Sequence, residues 1–278
     1  MKKYLTVVFL LAFAVPSWAA AKASHVSAND HPSRLLSAFF GLDDSLPFRA
    51  NILCLGAWQK DGMPVIFPQT LDPQSLQAKD FKVTTRSGAQ KTPVCVTLRP
   101  ALDIGESRTV LLIGDFGHAD YDPPQIVQVV DDLLSDGSEE SQVNFVGAQI
   151  KVTPLADGPS VVLAQIVPEE IWSQKGAGTA CPSSTKQVVR ITWAGGVRLP
   201  NGDEPSDAVR ILYRITVNPN DGVKEEITAA ALADLGDNDN NHLLCLNTTS
   251  PATMVAFPAG HLVDPNGDLN LEAKIAVQ

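Results

Sequence analysis

The residues best suited to chemistry are carboxylates, and they collect in two loops. In the run from Asp234 to His242, Asp237, Asp239 and Asn241 alternate as the first three ligands of an EF-hand loop do. The match then fails. The sixth position is His242 where that loop needs glycine, and the twelfth is Thr248 where it needs glutamate. A calcium loop of another kind and a plain solvated turn both fit what is left. The oxygen ligands favour the ion, and the missing twelfth carboxylate opposes it. The second collection follows Gly114, where Asp115, Asp120 and Asp122 surround His118. Such carboxylates at a strand end could converge on calcium, which takes roughly six to eight oxygens. His118 would admit a transition metal. The favoured reading there is a solvated interdomain loop, because no basic residue lies between Arg108 and Lys151 while acids recur throughout. Asp264, Asn266 and Asp268 alternate too, but Asp-Pro-Asn-Gly is first of all a β-turn.

Covalent catalysis has little to work with. The chain has no G-x-S-x-G elbow, no H-E-x-x-H and no Walker loop. His118, His242 and His261 lie near acids, which is the ordinary environment of a structural histidine. The cysteines are Cys54, Cys95, Cys181 and Cys245, an even count with no C-x-x-C pair, so disulfides are expected rather than zinc. Of the three connectivities open to four cysteines, Cys54–Cys95 and Cys181–Cys245 are favoured because the halves of the chain read as separate folding units. Each closure should contribute about 4 kcal/mol in the chain-entropy model. Trp193 belongs to a core face, whereas Trp172 beside Gly176 and Gly178 offers a stacking surface for a sugar.

These groups need a scaffold, and the sequence describes one. Residues 1–21 read as a secretory signal: Lys2 and Lys3, an apolar run from Tyr4 to Val15, then Pro16 and small residues for cleavage. The run is shorter than the ~20 residues a membrane span needs, and no later stretch is apolar enough. The expected destination is outside the cytoplasm, periplasmic or secreted. Acids number 31 against 21 bases, for a net charge of −10, which argues against a nucleic-acid partner.

Short apolar runs separated by turn residues fill the chain after Pro47. Val65–Phe67, Phe81–Thr84, Val94–Leu98, Thr109–Ile113, Ala148–Val152, Val161–Val167 and Leu271–Val277 read as strands. Gln187–Trp193 and Ala208–Val217 alternate with a period of two, which implies one buried and one wet face. Asp61-Gly62, Asn201-Gly202 and Asn266-Gly267 supply turns. Helical spacing is restricted to Leu35–Phe40, to Pro123–Leu134, where the valines also permit a strand, and to the alanine-rich Glu225–Leu235.

The segment from Leu46 to Gly117 resembles the bacterial Ig-like modules of cell-surface proteins. The residues that carry the likeness are the turn Leu71-Asp72-Pro73-Gln74-Ser75-Leu76, the strand Phe81-Lys82-Val83 and the closing run Thr109 to Gly114. The resemblance implies a β-sandwich and carries no activity with it. The expected fold is therefore all-β and mostly antiparallel, with two β-sandwich or Ig-like units and one or two short helices. Its divisions are a signal at 1–21, a polar lead with a short helix at 22–46, a first unit at 47–117, an acidic linker at 118–147 and a second unit at 148–278. Phe67-Pro68 before Asp72-Pro73 is echoed by Phe257-Pro258 before Asp264-Pro265, a likeness that chance explains as well as duplication does.

The function expected from this reading is a non-catalytic binding or structural module, with calcium as a candidate ion and a protein or carbohydrate as a candidate ligand. The alternative is a secreted hydrolase using convergent Asp and His side chains around His118 or His242.

Overall fold

The computed structural model describes residues 34–219 and 222–278, so the signal, His25 and His31 lie outside the described residues. The fold is nearly all antiparallel β, arranged as four four-stranded sheets. The first half contributes β1 (Ser37–Ala38), β2 (Asp61–Ile66), β3 (Phe81–Thr85), β4 (Gln90–Lys91), β5 (Cys95–Thr97), β6 (Thr109–Gly114), β7 (Pro124–Val129) and β8 (Gln149–Lys151). They form one sheet in the order β1-β2-β6-β5 and another in the order β4-β3-β7-β8. Alternate residues of facing strands, such as Met63, Val65, Phe81, Val83, Val110, Leu112, Val127 and Val129, meet in one apolar core.

The second half contributes β9 (Ser160–Val167), β10 (Gln187–Ala194), β11 (Arg214–Val217), β12 (Glu225–Ile227), β13 (Ala231–Ala233), β14 (Asn241–Leu246), β15 (Ala252–Phe257) and β16 (Ala273–Ala276). Their sheets run β9-β10-β14-β13 and β12-β11-β15-β16. Each order is that of the first half displaced by eight strands, so the chain builds one topology twice. The closure is repeated as well. Phe40 N–H donates to Thr153 O and Thr153 N–H to Ala38 O in the first sandwich, while Ile166 N–H donates to Gln278 O and Gln278 N–H to Ala164 O in the second. The Phe-Pro echo is no part of this repeat, because Phe67 follows β2 whereas Phe257 ends β15.

Both expected disulfides are present, with Cα–Cα distances of 6.1 Å for Cys54–Cys95 and 5.7 Å for Cys181–Cys245. Each ties the first long loop of its sandwich, β1–β2 or β9–β10, to the outer face of the neighbouring sheet. The second of these loops carries a single helical turn, α1 (Glu169–Trp172).

Several expectations need correction. The residues around Leu35–Phe40 form β1 and a bridge from Phe39 to Thr153, not a helix, because the edge of β2 supplies hydrogen bonds that a lone turn lacks. The acidic stretch 118–147 is no linker. It contains β7, which pairs with β3 and β8, and it sends Leu133 and Phe145 into the first core, so the first sandwich runs on to Val152. Glu225–Leu235 holds β12 and β13 rather than a helix. In Ala208–Val217 only β11 is a strand, preceded by a 3-10 turn at Asp207–Leu212. β10 has no wet face, since Val188, Arg190 and Thr192 are as buried as Val189, Ile191 and Trp193.

The inner face of β10 bears a buried polar chain. Trp193 Nε1 donates to the Tyr213 hydroxyl at 3.1 Å, and that hydroxyl lies 2.7 Å from His242 Nδ1. Burial pushes the His242 pKa down from 6.5 to about 4, so the imidazole is neutral at neutral pH. The unfolded chain therefore takes up a proton near pH 6.5 that the folded chain refuses until about pH 4. This stabilisation is present above pH 6.5 and is lost as the pH falls to 4. Across that window the native protein should lose about 3 kcal/mol more than His242→Gln does. Urea midpoints at the two ends of the window would measure it, and equal slopes would refute it.

Candidate functional site

The loops β5–β6 and β13–β14 hold equivalent places in the two sandwiches, and they face one another where β2 packs against β10. Between them five carboxylates gather: Asp103 and Glu106 from the first loop, and Asp234, Asp237 and Asp239 from the second. One oxygen each from Glu106, Asp234 and Asp239 lies within 4.8 Å of the others, and the same holds for Asp103, Asp234 and Asp237. A cavity of about 270 Å³ opens beside them, lined in part by Trp172, Lys175, Cys181 and Leu243.

The outward face of β10 supplies the counter-charge. Arg190 Nη2 stands 3.3 Å from Glu106 Oε1, and the guanidinium donates to Gly105 O at 2.8 Å and Ile104 O at 2.9 Å. Gly105 is required here. Its φ is +86°, and a Cβ would sit 2.6 Å from Arg190 Nη1. Across the cleft, Ala177 N–H donates to both Asp103 oxygens at 2.9 and 2.8 Å, and Gly176 lets the loop come this close. Asn240 Nδ2 spans the seam, donating to Trp193 O at 2.7 Å and Thr109 Oγ1 at 3.3 Å.

One arginine cannot neutralise so many acids. Burial raises the pKa values of Glu106, Asp234 and Asp239, and the charge of neighbouring carboxylates adds to it for Glu106 and Asp234. Asp237 is pushed up to about 7 by burial and by Asp239. Two buried oxygens, Glu106 Oε1 and Asp234 Oδ2, receive no hydrogen bond. Glu106 is 1% exposed and Asp234 4%.

Of the residues singled out in the sequence, Asp237 and Asp239 belong to this cluster. Asn241 positions Asp239, its N–H and Nδ2 donating to that carboxylate at 2.7 and 3.0 Å, while its own Oδ1 accepts from Thr192. Asp115, Asp120 and Asp122 are not brought together. Asp115 pairs with Lys60, Asp122 accepts from the backbone and hydroxyl of Ser87, and Asp120 points into solvent. His118 stacks on Tyr121 at the surface of the first sandwich, whereas His242 lies in the core of the second. Asp264 closes its turn by accepting from Asn266 and Asp268, as a β-turn carboxylate does. Another group of acids, Asp43, Asp44 and Asp61, sits at the β2 entrance, where Asp61 accepts the N–H groups of Asp44 and Phe116.

Glu106, Asp103 and Arg190 went unmarked in the sequence, and Asp234 stood at the head of the marked run without a role of its own. Their only signal was that the loop before a strand carries spaced acids in each half, which has meaning once the halves are superposed. Comparisons with family models, curated proteins and solved structures gave no match.

Arg190→Ala should destabilise the fold by about 3–5 kcal/mol, because it leaves Glu106 buried among like charges. Arg190→Met combined with Glu106→Leu should restore most of that loss. Guanidinium unfolding of the single and double variants checks both. A double variant no better than the single one would show that the ion pair is not the source.

Proposed function

We propose that this chain is an exported, non-catalytic binding module that takes an apolar, acidic segment of a partner protein. The observation that carries the reading is the loop between β1 and β2. Phe48, Ile52, Leu53, Leu55 and Trp58 all stand exposed there, Leu55 at 95% and Ile52 at 85%. Large side chains crowded this closely on a water-facing loop mark a contact surface.

The loop is built and braced. A 3-10 turn spans Phe48–Ile52, and Asn51 Oδ1 accepts the N–H groups of Gly56 and Trp58, each at 3.1 Å. Phe48 meets Trp58 edge to face at 5.9 Å, and Cys54–Cys95 anchors the base. In the second sandwich the equivalent loop folds down over its sheet, with Ile171 and Trp172 against Val188 and Leu243. The first loop keeps its apolar side chains outward instead. Beside it runs a groove of about 740 Å³ whose walls include Leu42, Leu46, Leu53 and Pro100. Arg49 and Arg99 line it, neither guanidinium paired among the described residues, together with Arg198, Glu204, Asp237 and Asp239. An acidic group of the peptide would meet Arg49 and Arg99, the cations beside the exposed Ile52 and Leu53, and its apolar residues would meet the loop. The two disulfides agree with an oxidising destination.

A displayed random-peptide library panned against the native protein and against Leu55→Ser/Trp58→Ser tests this reading. Peptides pairing apolar with acidic residues should bind the native protein at least ~10-fold more tightly, the effect of losing roughly 1.4 kcal/mol of anchor contacts. Equal binding to both proteins would overturn the proposal. So would loop-dependent sedimentation with lipid vesicles and no peptide enrichment, which would assign the loop to a bilayer surface.

A further inference from the structure

We propose that the seam between the sandwiches binds one calcium ion, held by Glu106 from the first sandwich and by Asp234 and Asp239 from the second. This goes beyond the peptide-binding reading and does not depend on it.

The geometry comes first. Calcium holds its oxygens at about 2.3–2.6 Å, so ligands on opposite sides of one ion stand up to ~5 Å apart. One carboxylate oxygen each from Glu106, Asp234 and Asp239 lies within 4.8 Å of the others, inside that limit.

The second observation is independent of the clustering. Asp234 is 4% exposed, its Oδ2 is buried and faces the other acids, and no N–H group reaches it, whereas Glu106 Oε1 has Arg190 Nη2 at 3.3 Å. A buried carboxylate oxygen without a donor loses its hydration with no return, at a cost of about 1–3 kcal/mol or more. Asp43 Oδ1 and Asp80 Oδ1 also lack a donor, but each of those carboxylates accepts a backbone N–H on its other oxygen, from Ala119 and Gln77, and both oxygens of Asp61 are served by Asp44 and Phe116. At the seam such donors serve the other oxygens: Asp103 N–H reaches Glu106 Oε2, and Asn241 serves Asp239. Arg190 takes up Glu106 Oε1, and the Asp234 carboxylate is left over without an N–H donor.

The donor set names the class of ion. All ligands are carboxylates, and the trio includes no thiolate or imidazole, which sets aside zinc and copper. Irregular placement on two loops suits calcium better than magnesium, which demands near-ideal octahedral geometry. The adjoining cavity has room for waters to complete the shell. The cationic groups facing the site are Arg190, Lys175 lining the cavity and the buried Arg108. Since the ligands come from both sandwiches, the ion would act as a clamp that fixes one half of the molecule on the other.

The test uses the full exported chain stripped with chelator. Calcium in large excess should raise the Tm of the native protein by about 5–10 °C, and magnesium by much less. Asp234→Asn and Glu106→Gln should lose the shift, whereas Asp120→Asn, remote from the seam, should keep it. Leu55→Ser/Trp58→Ser should also keep it, which separates this proposal from the peptide reading. Terbium, a calcium mimic, gives a measurement on unmutated carboxylates. Its emission should be sensitised by Trp172, weaken in Trp172→Phe and be displaced by calcium. No Tm shift with calcium, a shift retained in Asp234→Asn, or terbium emission indifferent to Trp172 would each overturn the proposal.

Discussion

The molecule turns on one buried charge pair, Arg190 with Glu106, at the seam of two sandwiches. Arg190 projects from what would otherwise be the outer face of β10, and Glu106 reaches it from the other half of the chain. Neither charge is tolerable alone at that depth. The guanidinium is also spent on the carbonyls of Ile104 and Gly105, so it fixes the backbone of the β5–β6 loop as well as its charge. That fixed loop is what brings Asp103 and Glu106 against Asp234, Asp237 and Asp239. The carboxylate cluster thus follows from the way the halves dock.

The repeated topology explains why the seam has this composition. The same strand orders occur in both halves, so the same inter-strand loop is available on each side. The β2 and β10 strands, which occupy equivalent positions, are the ones that pack together. Asn240 then satisfies a carbonyl of its own sandwich and a hydroxyl of the other with a single amide. A polar seam of this kind sets register more firmly than an apolar one, since each buried donor accepts few alternative positions.

The halves diverge in their first long loops. Both are stapled to the outer face of a sheet by a disulfide, but the second loop covers β10 with Ile171 and Trp172 while the first turns Leu55, Ile52 and Trp58 to water. A β-sheet buried on one side needs no second cover if its outer residues are polar or small. In the second half the outer residues include Val188 and Leu243, and the cover is needed. In the first half Cys54, Ala57 and Leu46 are enough to shield Ile113, and the rest of the loop is left for contact with something else.

What the sequence determined by itself was local. The period-two run Gln187–Trp193, the strands at Phe81, Thr109 and Ser160, and the pairing of four cysteines within two halves follow from side-chain alternation and chain proximity, which need no knowledge of the fold. The alanine-rich Glu225–Leu235 and the Leu35–Phe40 run misled because strand neighbours outweigh weak helical propensity in short segments. The acidic tract read as a linker because its charges are exposed while Val127, Val129, Leu133 and Phe145 between them are not, and composition averages the two. Asp237 and Asp239 could be singled out because their partners in the pattern are two residues away. Glu106, 128 to 133 positions distant from Asp234 and Asp239, could not, because only the docking of one sandwich on the other decides which carboxylates share a dielectric and an ion.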